Sequence, residues 1–208
     1  MDDIEAAVAE ARRVSDAVLI EELVAGQDLR LVVINFRLVA AAVRRPASVI
    51  GDGRRVVRDL IAAQSRRRSA ATGGESAIPV DAETERTIRQ AGYEYDSVLP
   101  EGKELQVRKT ANLHTGGSIH DVTDRVHPKL VDAGIRAARA IDIPVVGIDL
   151  MVKTPSGPDY AFIEANERPG LANHEPQPTA ERFIDLLFPL SLPASVRQAV
   201  TDTVAQGA

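Results

Sequence analysis

The chain predicts an α+β fold in which antiparallel strands and flanking helices segregate along the sequence instead of alternating. Period-2 apolar patterning recurs around turn sequences, in LRLVVI with RLVAAAVRR and in VVGIDLM with AFIEAN. Stripes at helical spacing occupy other stretches, as with Val57, Leu60 and Ile61. At 208 residues, 44% hydrophobic and 26% charged, the chain has the length and composition of a globular protein with a sizeable core. With only 3% aromatics, that core must be mostly aliphatic.

In chain order, Asp2 or Asp3 caps a helix to about Arg13, with Ile4, Ala7, Val8 and Ala11 as its inner stripe. Residues 17–24, AVLIEELV, read as a strand whose uninterrupted apolar start suggests burial on both sides. A turn at 25–28 leads to a strand from Leu29 to Ile34, and Asn35-Phe36 forms a tight hairpin into a strand from Arg37 to Arg45. From Pro46 the character changes, and 46–105 reads as a subdomain or insert. It holds a turn at Gly51-Asp52-Gly53, a helix from Val56 to Arg67, and a polar, basic stretch near 65–77 expected to be a mobile loop. A helix from Asp81 to Ala91, stopped by Gly92, and a short strand from Lys103 to Lys109 follow. TANLHTGGSIHDVT is too rich in Gly, Thr and Asn for regular structure. His127-Pro128 opens a helix to about Ile141, and Pro155-Ser156-Gly157-Pro158 joins the two strands of a hairpin spanning 145–170. A helix from Thr179 to Phe188 closes a body spanning 1–189, ahead of a polar tail at 190–208.

Several function classes are disfavoured. A net charge of −5 gives no general reason to expect nucleic-acid or membrane binding. No apolar run approaches the roughly 20 residues of a membrane helix, and the acidic, amphipathic MDDIEAAVAEA is no signal peptide. Zero cysteines exclude disulfides and thiolate metal sites, and fit a reducing, cytoplasmic setting. Arg66-Arg67-Arg68, with Arg54, Arg55 and Arg58 nearby, lacks the interleaved aromatics of a nucleic-acid patch. A solvated helix face, or a clamp for an anionic substrate, suits that run better.

Three constellations carry chemistry. Centring the last hairpin between Ser156 and Gly157 sets Asp149 opposite Glu164 and Met151 opposite Phe162. Ile148, Leu150 and Val152 then share an apolar side with Ala161, Ile163 and Ala165. On the other side Asp149, Glu164 and Asn166 form an oxygen-only set suited to a hard cation such as Mg²⁺, with Mn²⁺ as a second choice. The same pattern also suits a solvent-facing sheet edge. In VRKTANLHTGGSIHDVT, Gly116 and Gly117 would let backbone approach an anion beside Arg108, Lys109 and Asn112. A flexible surface loop is the other reading, with His114 and His120 as its polar residues. Third, Glu21 to Val24 and Asp28 suit the edge of an adenosine pocket, or a plain amphipathic hairpin.

Taken in order, VLIEELVAGQDLRLVVI, AAVRRPASVIGDG, VRKTANLHTGGSIHDVT, VVGIDLM and IEANERPG resemble the C-terminal part of an ATP-grasp ligase. The similarity points to the cyanophycin synthetase and glutathione synthetase branch, and runs from about Asp3 to Pro189. More narrowly, SRRRSAATGGESAIPVD and ERPGLANHEPQPTAERFIDLLFP resemble N-acetylglutaminylglutamine synthetase, an osmolyte-dipeptide ligase. The resemblance implies the C-terminal lobe of an ATP-grasp fold. Glu21, Glu22, Leu23 and Val24 would be the adenine hinge and Asp28 the ribose contact, with Met151 and Phe162 beside the nucleotide. Asp149, Glu164 and Asn166 would hold the Mg²⁺ that bridges ATP phosphates. Arg108 and Asn112, with the Gly116-Gly117 backbone, would face the γ-phosphate and an acyl phosphate, assisted by Arg44 or Arg45.

The implied chemistry is ATP-driven activation of a small-molecule carboxylate and its capture by an amine. Nothing in the chain matches the phosphate-binding lysines and glycine-rich flap that precede this region in such enzymes. A fragment with weak or absent ligase activity is therefore expected, and an exposed lobe face would favour a homo-oligomer. The competing expectation is a non-catalytic remnant that binds a nucleotide or a protein partner.

Overall fold

The computed structural model describes residues 2–171, 174 and 176–191. Its elements in chain order are α1 (Asp2–Ala11), β1 (Gln27–Ile34), β2 (Arg37–Arg45), β3 (Ser48–Ile50), α2 (Val57–Ala71), α3 (Ala82–Gln90), β4 (Glu104–Gln106), β5 (Ser118–Asp121), α4 (Pro128–Ala140), β6 (Val145–Val152), β7 (Tyr160–Asn166) and α5 (Thr179–Leu187). Strands β5-β2-β1-β6-β7 form one sheet, antiparallel at every junction, while β3 and β4 pair separately. The expected alternation decides which residues face which layer. Leu29, Leu31 and Val33 of β1 join Ile148, Leu150 and Val152 of β6 in a core closed by α4 through Leu130 and Ala138. Gly134 lets α4 come close, since a Cβ there would sit 2.8 Å from Leu31 Cδ1.

The other sheet face divides in two. At one end α5 lays Phe183 and Leu186 over Val32, Ile34 and Ala40. The remainder is polar and carries the candidate site. A second core, built from Val57, Leu60, Ile61, Ile88, Leu99, Leu105 and Val107, joins α2 and α3 to the β3/β4 pair. Local chemistry sets the helix starts: Asp81 accepts a hydrogen bond from the Thr84 N–H at 2.9 Å, and His127 caps α4 ahead of Pro128. Asn35 and Phe36 take φ of 52° and 55°, as the primed turn of a two-residue hairpin requires.

Four expectations change. Residues 17–24 form no strand, and Leu19 and Leu23 are 79% and 94% exposed. A strand needs a free edge, and both edges of the neighbouring β1 are taken by β2 and β6. The stripe on α1 likewise meets no layer, and Ile4 is exposed; the Asp2 and Asp3 side chains lie outside what is described. The polar stretch near 65–77 continues α2 to Ala71, because Arg68 is held by the Ser76 hydroxyl (3.1 Å) and the Gly117 carbonyl. SIHD is strand β5, since irregularity ends once the glycines are passed and Ser118 pairs with Arg45. Most of the predicted 190–208 tail falls outside the described residues.

Leu130 is fully buried where α4 meets the sheet. Leu130→Ala should cost about 2–5 kcal/mol through lost burial and the cavity left behind, read as a lowered urea midpoint with an unchanged slope.

Candidate functional site

Register builds the polar face. Asp121, Ala42, Arg30, Asp149 and Glu164 lie in one row across β5, β2, β1, β6 and β7. The next row on that face holds Arg44, Asp28 and Met151. Arg30 donates through Nε to Asp149 Oδ1 and through Nη2 to Oδ2 at 2.8 Å. Arg44 Nη2 reaches Asp28 Oδ1 at 2.7 Å and Asp149 Oδ2 at 2.9 Å. Asp149, only 4% exposed, is thus gripped by two guanidiniums, and opposite charges alternate along Asp28, Arg44, Asp149 and Arg30. Buried carboxylates persist only with such partners.

Proton affinities follow the crowding. Burial lifts the Asp28 carboxyl above its ordinary range even though Arg44 opposes it. Burial also works against the Arg44 charge, but the hydrogen bond to Asp28 and the nearby Asp149 carboxylate outweigh it and strengthen proton retention. A hydrogen bond with Asp149, followed by burial, raises Glu164. Two carboxyl groups held this close repel as anions, and a bound cation would relieve that repulsion.

Sequence placed Asp149 opposite Glu164, and the ladder pairs them. Met151 does not meet Phe162. A shift between Asp149 and Leu150 leaves one extra residue in β7, so Phe162 pairs with Leu150 and Met151 with Ala161. Phe162 is 49% exposed, and the expected apolar side of β7 is open as well, with Ile163 at 50%. Asn166 lies opposite Gly147 and its Oδ1 accepts the Arg168 N–H at 2.9 Å, which turns the chain out of β7.

The remaining candidates fall elsewhere. Glu21, Glu22, Leu23 and Val24 form an extended, largely exposed approach to β1. Gly26 lets that approach lie against β6, since a Cβ would come within 2.7 Å of the Val152 carbonyl. Arg108 is buried in the second core, with Asp81 and Glu83 each at 2.6 Å. Asn112 turns its own loop, accepting the His114 N–H on its side chain and the Gly117 N–H on its carbonyl. Gly116 and Gly117 are explained by packing: a Cβ would sit 2.4 Å from Ile78 Cγ1 at the first and 2.7 Å from the Asn112 carbonyl at the second. Arg45 points to the opposite face from Arg44, as alternation demands.

Two residues were missed. Arg30 holds Asp149, and its signal was a charged residue at an alternate position in an otherwise apolar strand. His174 is 5% exposed with no partner on Nδ1; burial, then the Arg30 charge, lowers its proton affinity. No spacing marks His174 in the sequence.

Asp149 and Glu164 are hard oxygen donors directly opposite each other on neighbouring strands, and the Asn166 Oδ1 keeps a second lone pair. These residues fit a hard divalent cation, which must draw Asp149 partly away from Arg30 and Arg44. Among the described residues, no group of three or more His, Cys, Asp or Glu is gathered for a metal, so the fit rests on the two carboxylates with Asn166.

No protein-family model matches the chain. Cyanophycin synthetase of a Nostoc species is 34% identical over 201 residues, covering 90% of this chain and 22% of that protein. The glutathione biosynthesis bifunctional protein of Clostridium perfringens is 26% identical over 200 residues, covering 90% and 26% respectively. The crystal structure of a bifunctional glutathione synthetase from Pasteurella multocida superposes with a TM-score of 0.63 at 24% identity, over 81% of this chain and 25% of that one. The expected fold, an antiparallel sheet with flanking helices, is the one observed, and it is shared with that glutathione synthetase structure. The chain spans roughly a quarter of the length of these relatives. In sequence it is homologous to one segment of the cyanophycin synthetases and the bifunctional glutathione-biosynthesis proteins, and it shares the fold of such a segment.

Proposed function

We propose that this chain supplies the metal side of a nucleotide site in an ATP-dependent carboxylate–amine ligase. The observation that carries the reading is the row Arg30, Asp149 and Glu164, with Arg44 beside it, on a stretch of sheet that no helix among the described residues covers. Asp149, Glu164 and Asn166 would hold Mg²⁺, which neutralises phosphate charge when bound. Arg44 and Arg30 would turn from Asp149 to the transferring phosphoryl group, a role that guanidinium geometry suits. Asp28 would meet the ribose, and Glu21 to Val24 the adenine. Arg108 and Asn112 retain a phosphate-facing role only if their present partners release them.

The reaction would run in two displacements. A substrate carboxylate oxygen attacks the γ-phosphorus of ATP, and the bond to ADP breaks. An amine nitrogen then attacks the acyl carbon, loses its proton, and phosphate leaves. An amino acid or short peptide would supply the amine, and the resemblance of 65–81 and 167–189 to N-acetylglutaminylglutamine synthetase supports that dipeptide as the product. A nucleotide-binding remnant without chemistry is the second reading. It is favoured by the closed Arg30–Asp149–Arg44 arrangement, which already satisfies the groups that catalysis would need free.

Calorimetric titration of the 208-residue chain with a non-hydrolysable ATP analogue checks the shared premise. Heat that requires Mg²⁺ and falls about tenfold or more in apparent affinity for Asp149→Asn is expected; no Mg²⁺-dependent heat from the wild type would sink both readings. ADP release with an amino-acid mixture separates ligase from remnant.

The raised Glu164 carboxyl gives a second outcome. Its folded-state proton affinity exceeds the unfolded value, so its stabilising contribution is full below the ordinary 4.5 and is lost as pH rises through the folded value. Without divalent ions, stability should fall over that window, and Glu164→Gln should flatten the decline, as urea midpoints from pH 4 to 7 would record.

A further inference from the structure

The opposite face of the same sheet corner carries a second charged feature. A cavity of about 240 Å³ lies where β1 starts and β2 ends, lined by Gln27, Arg45, His120, Arg125, Thr154 and Ser156. Its floor is Val43 and Val122, which belong to the core under α4. Alternation along β2 explains the placement: Arg44 goes to the carboxylate row, and Arg45, the next residue, goes to this side beside His120, whose strand partner is Val43. Side chains that meet here therefore cannot reach the Asp149 row.

The lining is one-sided in charge. Neither Arg45 nor Arg125 forms an ion pair among the described residues, and no carboxylate lines the cavity. In a chain of net charge −5, two uncompensated guanidiniums in one hollow form a local positive field. The Thr154 and Ser156 hydroxyls, hydrogen-bonded to each other at 3.0 Å, leave one O–H free to donate at the rim. The start of the 13-residue α4 is tied to the same rim by the His127 N–H, which donates to the Pro155 carbonyl at 2.9 Å. Burial, and then the Arg45 charge, lowers the proton affinity of His120, in keeping with an excess of positive charge around it.

We infer that this cavity binds an oxyanion, the phosphate or carboxylate group of a small polar molecule, independently of the proposed nucleotide site. Two guanidiniums and one free hydroxyl donor match an oxyanion's acceptors, and guanidinium forks discriminate in favour of planar or tetrahedral oxyanions over halides. An adjoining cavity of about 560 Å³ shares Arg45 and His120 and adds Pro46, Ser48, Glu104, Gln106 and Ser118, with the Glu104 carboxylate taking the Ser48 hydroxyl at 2.6 Å, so the anionic group belongs in the smaller cavity. It gives such a ligand room for a polar body beyond its charged group.

The test is a titration of the intact chain at pH 7 with inorganic phosphate, and separately with citrate, following the His120 ring protons by NMR. A saturable shift is expected, together with an upward move of the His120 titration midpoint as the anion offsets Arg45. Arg45→Gln and Arg125→Gln, both at exposed or rim positions, should each weaken binding about tenfold while leaving the far-UV spectrum unchanged. Tighter phosphate than citrate would identify a phosphorylated ligand; the reverse would identify a polycarboxylate. The response should persist in excess Mg²⁺ and ATP analogue, and its loss there would overturn the independence of the site. A His120 signal unmoved by either anion at about 10 mM, or binding indifferent to both arginine substitutions, would overturn the inference as a whole.

Discussion

A carboxylate buried under two arginines is the constraint on which the sheet's organisation rests. Asp149 sits at the centre of β6, between apolar neighbours that need burial, and cannot be solvated where it stands. Its charge is tolerable only because β1 places Arg30 directly across and β2 places Arg44 one row away. Pairwise, replacing such a network by apolar residues is often neutral or stabilising, while removing one partner is costly. The hydrogen bond to Asp149, followed by burial, raises the proton affinity of Glu164, so the two carboxyl groups meet at the point where a cation would sit.

The two faces of the sheet divide the work. Under α4 the alternate residues are Leu, Ile and Val at close packing, and this layer carries stability. Above, α5 packs on the Val32–Ile34–Ala40 end, and among the described residues no helix covers the charged end. A rigid apolar layer under an open polar one holds functional side chains on strands, where position is set by register and not by loop conformation.

Much of this was legible in the residues because period-2 patterning is a local signal. Both hairpins of the main sheet, the antiparallel pairing of Asp149 with Glu164, and helices α3, α4 and α5 follow from spacing, caps and turns. What was not legible depends on long-range partners. The apolar run at 17–24 satisfies every strand criterion except a partner. The bulge beside Asp149 moves Phe162 off the expected register, and no single residue in the strand announces it. Arg108 carried a role in a motif, yet the acidic start of α3 holds it 27 positions away in sequence from its Asp81 partner. Gly116 and Gly117 suggested an anion loop by composition, whereas the distances to Ile78 and to backbone carbonyls make them packing glycines.

Strand β7 has a consequence of a different kind. Among the described residues it pairs only on its β6 side, and Tyr160, Phe162 and Ile163 are each between 39% and 50% exposed along it. An aromatic and β-branched border with open backbone groups is a template on which another extended chain can add itself. The one-residue irregularity beside Asp149 works against that, because it bends and twists the border out of the flat geometry that propagation needs. The residue that spoils the expected Met151–Phe162 pairing is thus also a guard against fibril-like growth, and removing it to regularise the hairpin would exchange a kinked margin for an adhesive one.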